Sequence, residues 1–286
     1  MDIKGNSKKS FLILMLIPLV ALVAYGIRYN QNIFDYYLPN SQWNDEVIYY
    51  KSIEGILEYG MPKGYFGYNE SHAKWGNLGA WSPYIYFFDV LWGRIINWNY
   101  YAPIVARIVF AILGFVIYGI CRKPSYKDCF FIGLFVTSFS LFSRYMVSNM
   151  ADHYITILFV ILIALIYNRH YDEKKFAILI PGIIVFLSLM RPYMVIMWLI
   201  TLENNRNSIS KMVRHGVLAI TSIIVYFVSS YYMSASYFTP LIKTAWIENI
   251  ISSPIAGIQL FFGMILDGLK SSFEYGKAAF VYGAFL

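Results

Sequence analysis

Charge is scarce in this chain. Only 14% of its 286 residues are Asp, Glu, Lys or Arg, whereas an average soluble domain carries about 25%. The shortfall excludes an ordinary water-soluble globular protein. Cysteine is nearly missing as well, with Cys121 and Cys129 the only two. Two thiols near one short basic loop cannot form a secreted disulfide framework, and both read as free. No internal repeat or low-complexity tract interrupts the sequence. Apolar residues fill the space instead. They make up 58% of the chain, and the mean hydropathy is +0.53, which is the composition of an integral membrane protein. Twenty-six Tyr, 22 Phe and 7 Trp exceed what a lipid-facing surface needs. Many of them therefore belong to interfacial belts or line a cavity.

A membrane span needs an apolar run of roughly 17–25 residues, less where a helix is broken or packed inside protein. Such runs lie at 11–29, 101–121, 129–146, 154–167, 176–190, 193–202 and 213–233. The fifth and sixth are short and joined by Arg191-Pro192, so a single kinked helix is the alternative. Charge decides between the two. With seven spans, the loops on the amino-terminal side are 1–10, 122–128, 168–175 and 203–215, and each carries three Lys or Arg. That regularity is the positive-inside pattern, and a single helix would place the fourth cluster outside. The expected fold is therefore all-α: one polytopic helical bundle over 1–286, with about seven spans, the amino terminus inside and a large outer loop at 30–100. The expected location is a membrane, with a bacterial plasma membrane as the expectation that goes with the family resemblance given below. The first run could also be a cleaved signal peptide, with Lys8-Lys9 as its basic start. Pro18 and the lack of a small-x-small site oppose that, and cleavage would still leave the following loop outside. The net charge of +7 then needs no nucleic acid partner, because the basic loops anchor on anionic lipid.

Every candidate reactive group falls on the outer side. Asp45 and Glu46 open a segment whose apolar residues, Val47, Ile48, Ile53, Ile56 and Leu57, recur at helical spacing until Gly60 and Pro62 stop it. The next stretch, 64–79, is rich in Gly, Tyr and Asn and carries His72, Lys74 and Trp75, the composition of a shaped binding loop. Pro83 then starts an aromatic segment, 84–96, with Asp89 and Arg94, which reads as a helix lying in the interface. Arg107 lies early in the second span, Arg144 with Asp152-His153 at the second outer turn, and Arg191 at the third. Two adjacent carboxylates just beyond the bilayer suit a membrane enzyme, because a sugar or lipid-phosphate head group cannot enter hydrocarbon.

The order of these features resembles the GT-C superfamily of membrane glycosyltransferases, nearest to the protein O-mannosyltransferases and the lipid A aminoarabinose transferase branch. The likeness rests on one span followed by Asp45-Glu46-x-x-Tyr49, a Gly-rich stretch, Trp81-Ser82-Pro83 before an aromatic helix, Arg107, Arg144 with Asp152-His153, and Leu189-Met190-Arg191-Pro192. It covers roughly 11–202. The resemblance implies transfer of a sugar, usually with inversion, from a polyprenyl-phosphate donor to an acceptor hydroxyl on a glycan, lipid or protein at the outer face. On that reading Asp45 is the base, Glu46 a partner or metal ligand, and Asp152 a second acid site. Arg191, Arg144 or Lys74 grip phosphate, while Tyr49, Arg107 and His153 line the substrate site. His72 is a candidate ligand for a divalent ion, as is Glu46, although no paired ligand spacing accompanies it.

Plainer readings stand beside these. Asp45-Glu46 also suits a helix start, where acids oppose the macrodipole, and capping is compatible with catalysis. Asp152 stands at a helix start too. Arg144 and Arg191 could snorkel to head groups, Arg107 could pair with a buried acid, and the aromatics of 84–98 could form a belt. Asn69-Glu70-Ser71 is a glycosylation pattern only in a eukaryotic secretory protein. A lipid-linked sugar flippase and a glycan polymerase or ligase are the other function classes. Relatives in the superfamily usually carry further spans, so a shortened or reduced copy is also an expectation.

Overall fold

Long apolar runs with no competing polar partner can satisfy their backbone groups only by coiling on themselves, and helices dominate the result. The computed structural model describes residues 3–32, 35, 45–64, 73–79, 82–167, 176–235 and 245–285. Helix α1 (Ile3–Arg28) leads to α2 (Asp45–Tyr59), whose limits are those the apolar spacing predicts. Gly60, at φ +68°, ends α2 in a left-handed conformation that glycine adopts without penalty. A two-stranded antiparallel ribbon of β1 (Lys63–Gly64) and β2 (Lys74–Trp75) follows. A 3-10 turn (Pro83–Tyr86) capped by Ser82 then opens α3 (Phe87–Ile95). The bundle continues with α4 (Ala102–Arg122), α5 (Tyr126–Ser138), α6 (Ser140–Met146), α7 (Asp152–Tyr167) and α8 (Phe176–Met190). After a 3-10 helix (Pro192–Met197) come α9 (Trp198–Asn204) and α10 (Ile209–Met233).

The seven apolar runs are not equivalent. Among the described residues, three helical stretches are long and apolar enough to cross a bilayer: Lys9–Arg28, Ala102–Arg122 and Ile209–Met233. The run at 129–146 breaks at Phe139, where α5 and α6 bend by 74°, and it gives a fourth crossing if the pair is one span. α7 and α8 are apolar but shorter. The sixth run is not one α-helix. Pro192 keeps Arg191 extended (φ −140°, ψ 114°), so the chain leaves the helix there and resumes as a 3-10 turn.

Contacts fix the relative directions of the helices. Cys129 Sγ donates to the Ser10 carbonyl at 3.6 Å and Ser143 Oγ to that of Ala21 at 3.2 Å, so α1 and α5–α6 run the same way. Gly119 near the end of α4 lies against Leu14 and Phe11, so α4 runs opposite to α1. Arg107 reaches Met150 and Gly114 lies on Ile157, making α4 and α7 parallel. Leu14, Ala21, Ala111, Leu162 and Leu187 are completely buried between these helices. Outward, Leu16 and Val20 of α1, Leu113 and Ile120 of α4, Phe131 and Phe135 of α5, and Ile220 and Ile224 of α10 are exposed. An apolar exterior around an interior that holds Asp89 and Arg107 suits lipid rather than water.

Gly114 permits the close approach of α4 to α7, since a Cβ there would run into Ile157 Cγ2. Gly114→Val is expected to lower stability by about 1–3 kcal/mol, the usual cost of overpacking. Adding Ile157→Ala should return part of it. Thermal unfolding in detergent checks both.

The first loop is tied to the end of α10. Leu78 N–H donates to the Met233 carbonyl at 2.9 Å, and Ala235 N–H to that of Leu78 at 3.1 Å. Gly76, at φ +67°, lets the loop lie on α10, because a Cβ there would meet the Tyr232 carbonyl oxygen at 2.7 Å. The chain divides into two compact units, Met1–Phe238 and Thr239–Leu286. In the second, α11 (Ala245–Ser252) packs on α12 (Pro254–Phe285), with Gly257 against Ile250.

Candidate active site

The starts of α2, α4 and α7 and the end of α8 come together at one end of the first unit, and buried polar contacts hold them there. The innermost is an ion pair. Arg107 of α4 reaches both carboxylate oxygens of Asp89 on α3 at 3.1 Å, and both side chains are buried. Arg107 also donates to the carbonyls of Pro103 and Met150. Tyr154 donates its hydroxyl to Asp89 at 2.6 Å while its ring lies under the guanidinium, 4.7 Å away. A bidentate, hydrogen-bonded pair is the form in which a charge survives desolvation. Arg107, placed in the substrate site by the resemblance, is here the ion-pair partner of Asp89, the pairing with a buried acid that the plainer reading expected. His153 follows it inward. Its Nε2 lies 3.1 Å from the Arg107 carbonyl oxygen and the ring is fully buried.

Glu46 has also turned inward. Its carboxylate, completely buried, accepts the Asn149 backbone N–H at 3.1 Å, and its carbonyl accepts the Asn149 side-chain amide at 3.3 Å. That placement does not fit an open metal ligand. Among the described residues no three His, Cys, Asp or Glu side chains gather as a metal site. His72, the other candidate ligand, lies outside the described residues.

Asp45, by contrast, is exposed on the first turn of α2. Three residues beyond Asn149, Asp152 accepts a 2.8 Å hydrogen bond from the Arg191 guanidinium; Arg191 is 5% exposed and Asp152 23%. Asp152 therefore keeps an open side. The phenol of Tyr49, one turn after Asp45, feels both carboxylates and Arg191. Burial, above all, raises its pKa, Tyr86, Asp45 and Asp152 add to the rise, and Arg191 opposes it. Tyr86 packs edge-on against Tyr49 at 5.7 Å. Burial pushes Tyr86 up to about 12. Both phenols thus stay protonated near neutral pH. At Arg191, burial works against the charge, but Asp152 and Tyr49 outweigh it and raise the pKa.

Of the sequence candidates, Asp152 and Arg191 are in direct contact, and Asp45 and Tyr49 stand on the start of α2 that Glu46 ties to Asn149, at the same end of the unit. Arg144 lies half-buried in the last turn of α6. Lys74 is exposed on β2, and no described contact joins it to the Arg191–Asp152 pair. The residues that sequence reading did not place in the site are Asp89, Asn149, Tyr86 and Tyr154. A lone acid in Phe87-Phe88-Asp89-Val90-Leu91-Trp92 and a lone base in α4 were a detectable signal, since each buried charge needs an opposite. Asn149 carried none. The assembled group can do two things chemically: an exposed carboxylate can accept a proton, and a buried guanidinium flanked by phenols can hold an anion. No family model, curated protein or solved structure matches the chain.

Proposed function

We propose that the chain is a GT-C-type glycosyltransferase that moves a sugar from a polyprenyl-phosphate donor to an acceptor hydroxyl on a glycan, lipid or protein. In this reading it crosses a plasma membrane about seven times, with the amino terminus and basic loops inside and the reactive end outside. The gathering of Asp45, Tyr49, Asp152 and Arg191 at one end of an apolar bundle carries the proposal. The directions of α1, α4, α5–α6 and α7 alternate as four successive passes would, and the described basic loop ends, such as Arg122-Lys123, lie at the opposite end of α4.

The chemistry needs little more than these groups. The acceptor oxygen attacks the anomeric carbon and the carbon–oxygen bond to phosphate breaks. The polyprenyl phosphate leaves as an anion, and Asp45 takes the acceptor proton. Arg191 neutralises the departing phosphate in a poorly solvated place, where a fixed cation acts more strongly than in water. Attack from the face opposite the phosphate inverts the anomeric centre.

The test is reconstitution in lipid nanodiscs with labelled polyprenyl-phosphate monosaccharides, following transfer to lipid, glycan and peptide acceptors. Arg191→Gln is expected to raise the KM for donor roughly ten- to hundredfold, the equivalent of the about 1.5–3 kcal/mol of a charged hydrogen bond. A donor KM that does not change removes Arg191 from the phosphate site. Failure of the wild-type protein to transfer any sugar in the panel counts against the proposal as a whole.

A further inference from the structure

We infer that Glu46 is a positioning residue: with Asn149 it forms a reciprocal clasp that holds the first turn of α2 on the 147–151 turn and so fixes where Asp45 stands relative to Asp152. The inference rests on the glycosyltransferase reading for its activity assays. Two observations carry it. The contact is two-way, side chain to backbone in both directions, with Asn149 N–H to Glu46 Oε1 at 3.1 Å and Asn149 Nδ2 to the Glu46 carbonyl at 3.3 Å. It is also closed to solvent, with Glu46 0% and Asn149 1% exposed, so water does not compete for either bond. Asp45 precedes one partner by a single residue, and Asp152 follows the other by three. The clasp thus joins the two segments that carry these carboxylates.

Successive residues on a helix point about 100° apart. With Glu46 turned into the bundle, Asp45 faces outward and is exposed. The adjacent acids therefore divide the work: Asp45 offers an accessible carboxylate and Glu46 fixes where it stands. A base or metal ligand at position 46 would need a route to substrate or ion, and a fully buried carboxylate engaged with Asn149 has none. Charge is secondary to this role, because an amide oxygen accepts the Asn149 N–H as well as a carboxylate does.

The amide variant separates the roles. Glu46→Gln should keep kcat within tenfold of wild type, with the pH profile of kcat unmoved. Glu46→Ala should lower kcat by roughly a hundredfold while donor KM stays within about twofold, because a misplaced base harms the chemical step more than binding. Asn149→Ala, which leaves the carboxylate in place, should reproduce that loss, and the double variant should be no worse than the poorer single one. A loss beyond tenfold in Glu46→Gln, or recovery of that variant by added magnesium or manganese, would assign position 46 to the chemistry and overturn the proposal. Full activity in Glu46→Ala would overturn it too. Hydrogen exchange of the 147–152 amides gives a readout independent of transfer. Exchange should rise in Glu46→Ala and stay at the wild-type level in Glu46→Gln, and equal protection in Glu46→Ala refutes the clasp even where no sugar is transferred.

Discussion

Asp45→Asn is expected to reduce sugar transfer by about a hundredfold to ten thousandfold, the contribution of a positioned general base, while membrane yield and thermal stability stay close to wild type. The asymmetry follows from where the residue stands. Asp45 is exposed on the first turn of α2 and its side chain is in none of the described buried pairs. Asparagine is as good as aspartate at helix starts, and the loss of one negative charge near the helix dipole costs about 0.3–1 kcal/mol. An effect confined to turnover therefore points to proton transfer. The same variant separates an enzyme from a lipid-linked sugar flippase, since a carrier has no acceptor proton to remove and should continue to move its cargo. Transfer at the original rate would dismiss Asp45 as the base and leave Asp152 as the remaining carboxylate with an open side.

The second large effect concerns stability. Asp89→Ala is expected to destabilise the protein by about 3–5 kcal/mol, because it strands the Arg107 guanidinium in a buried site. Arg107 is 0% exposed, and its remaining described acceptors are the carbonyls of Pro103 and Met150, which carry no countercharge. Tyr154 loses the acceptor of its 2.6 Å hydrogen bond in the same step. Removing both charges should be milder than removing one. Asp89→Leu combined with Arg107→Leu is expected to recover much of the melting temperature, as buried pairs replaced by apolar residues often do. Detergent-solubilised yield and thermal unfolding give the comparison. If the double variant is as damaged as Asp89→Ala, the pair contributes through its fit to Tyr154 and the α4–α7 contact rather than by mutual neutralisation.

Local signals proved readable in the sequence, and orientation did not. Asp45, Gly60 and Pro62 bounded α2 correctly because caps and breakers act within one turn. Pro192 likewise announced the break at Arg191. The bend at Phe139 carried no such sign. Ser138-Phe139-Ser140 has no proline or glycine, and the apolar run continues across it, so only packing decides that α5 and α6 part there. Asp45 and Glu46 are equal candidates as letters. Their difference depends on which of two neighbouring helix positions meets the 147–151 turn, a tertiary fact. Arg107 was legible as a base that needs an acid, yet the choice of Asp89 required α3 to lie across α4.

The backbone bridge between Leu78 and residues 233–235 has a consequence for biogenesis. The loop that borders Asp45 and Tyr49 is built early by the ribosome, but its hydrogen-bonding partner is the exit of α10, made much later. Until that stretch has emerged and inserted, the Leu78 amide and carbonyl lack those partners. The reactive end is therefore among the last parts of the first unit to mature, and translation halted before α10 would leave a bundle of helices whose first loop is not yet fastened.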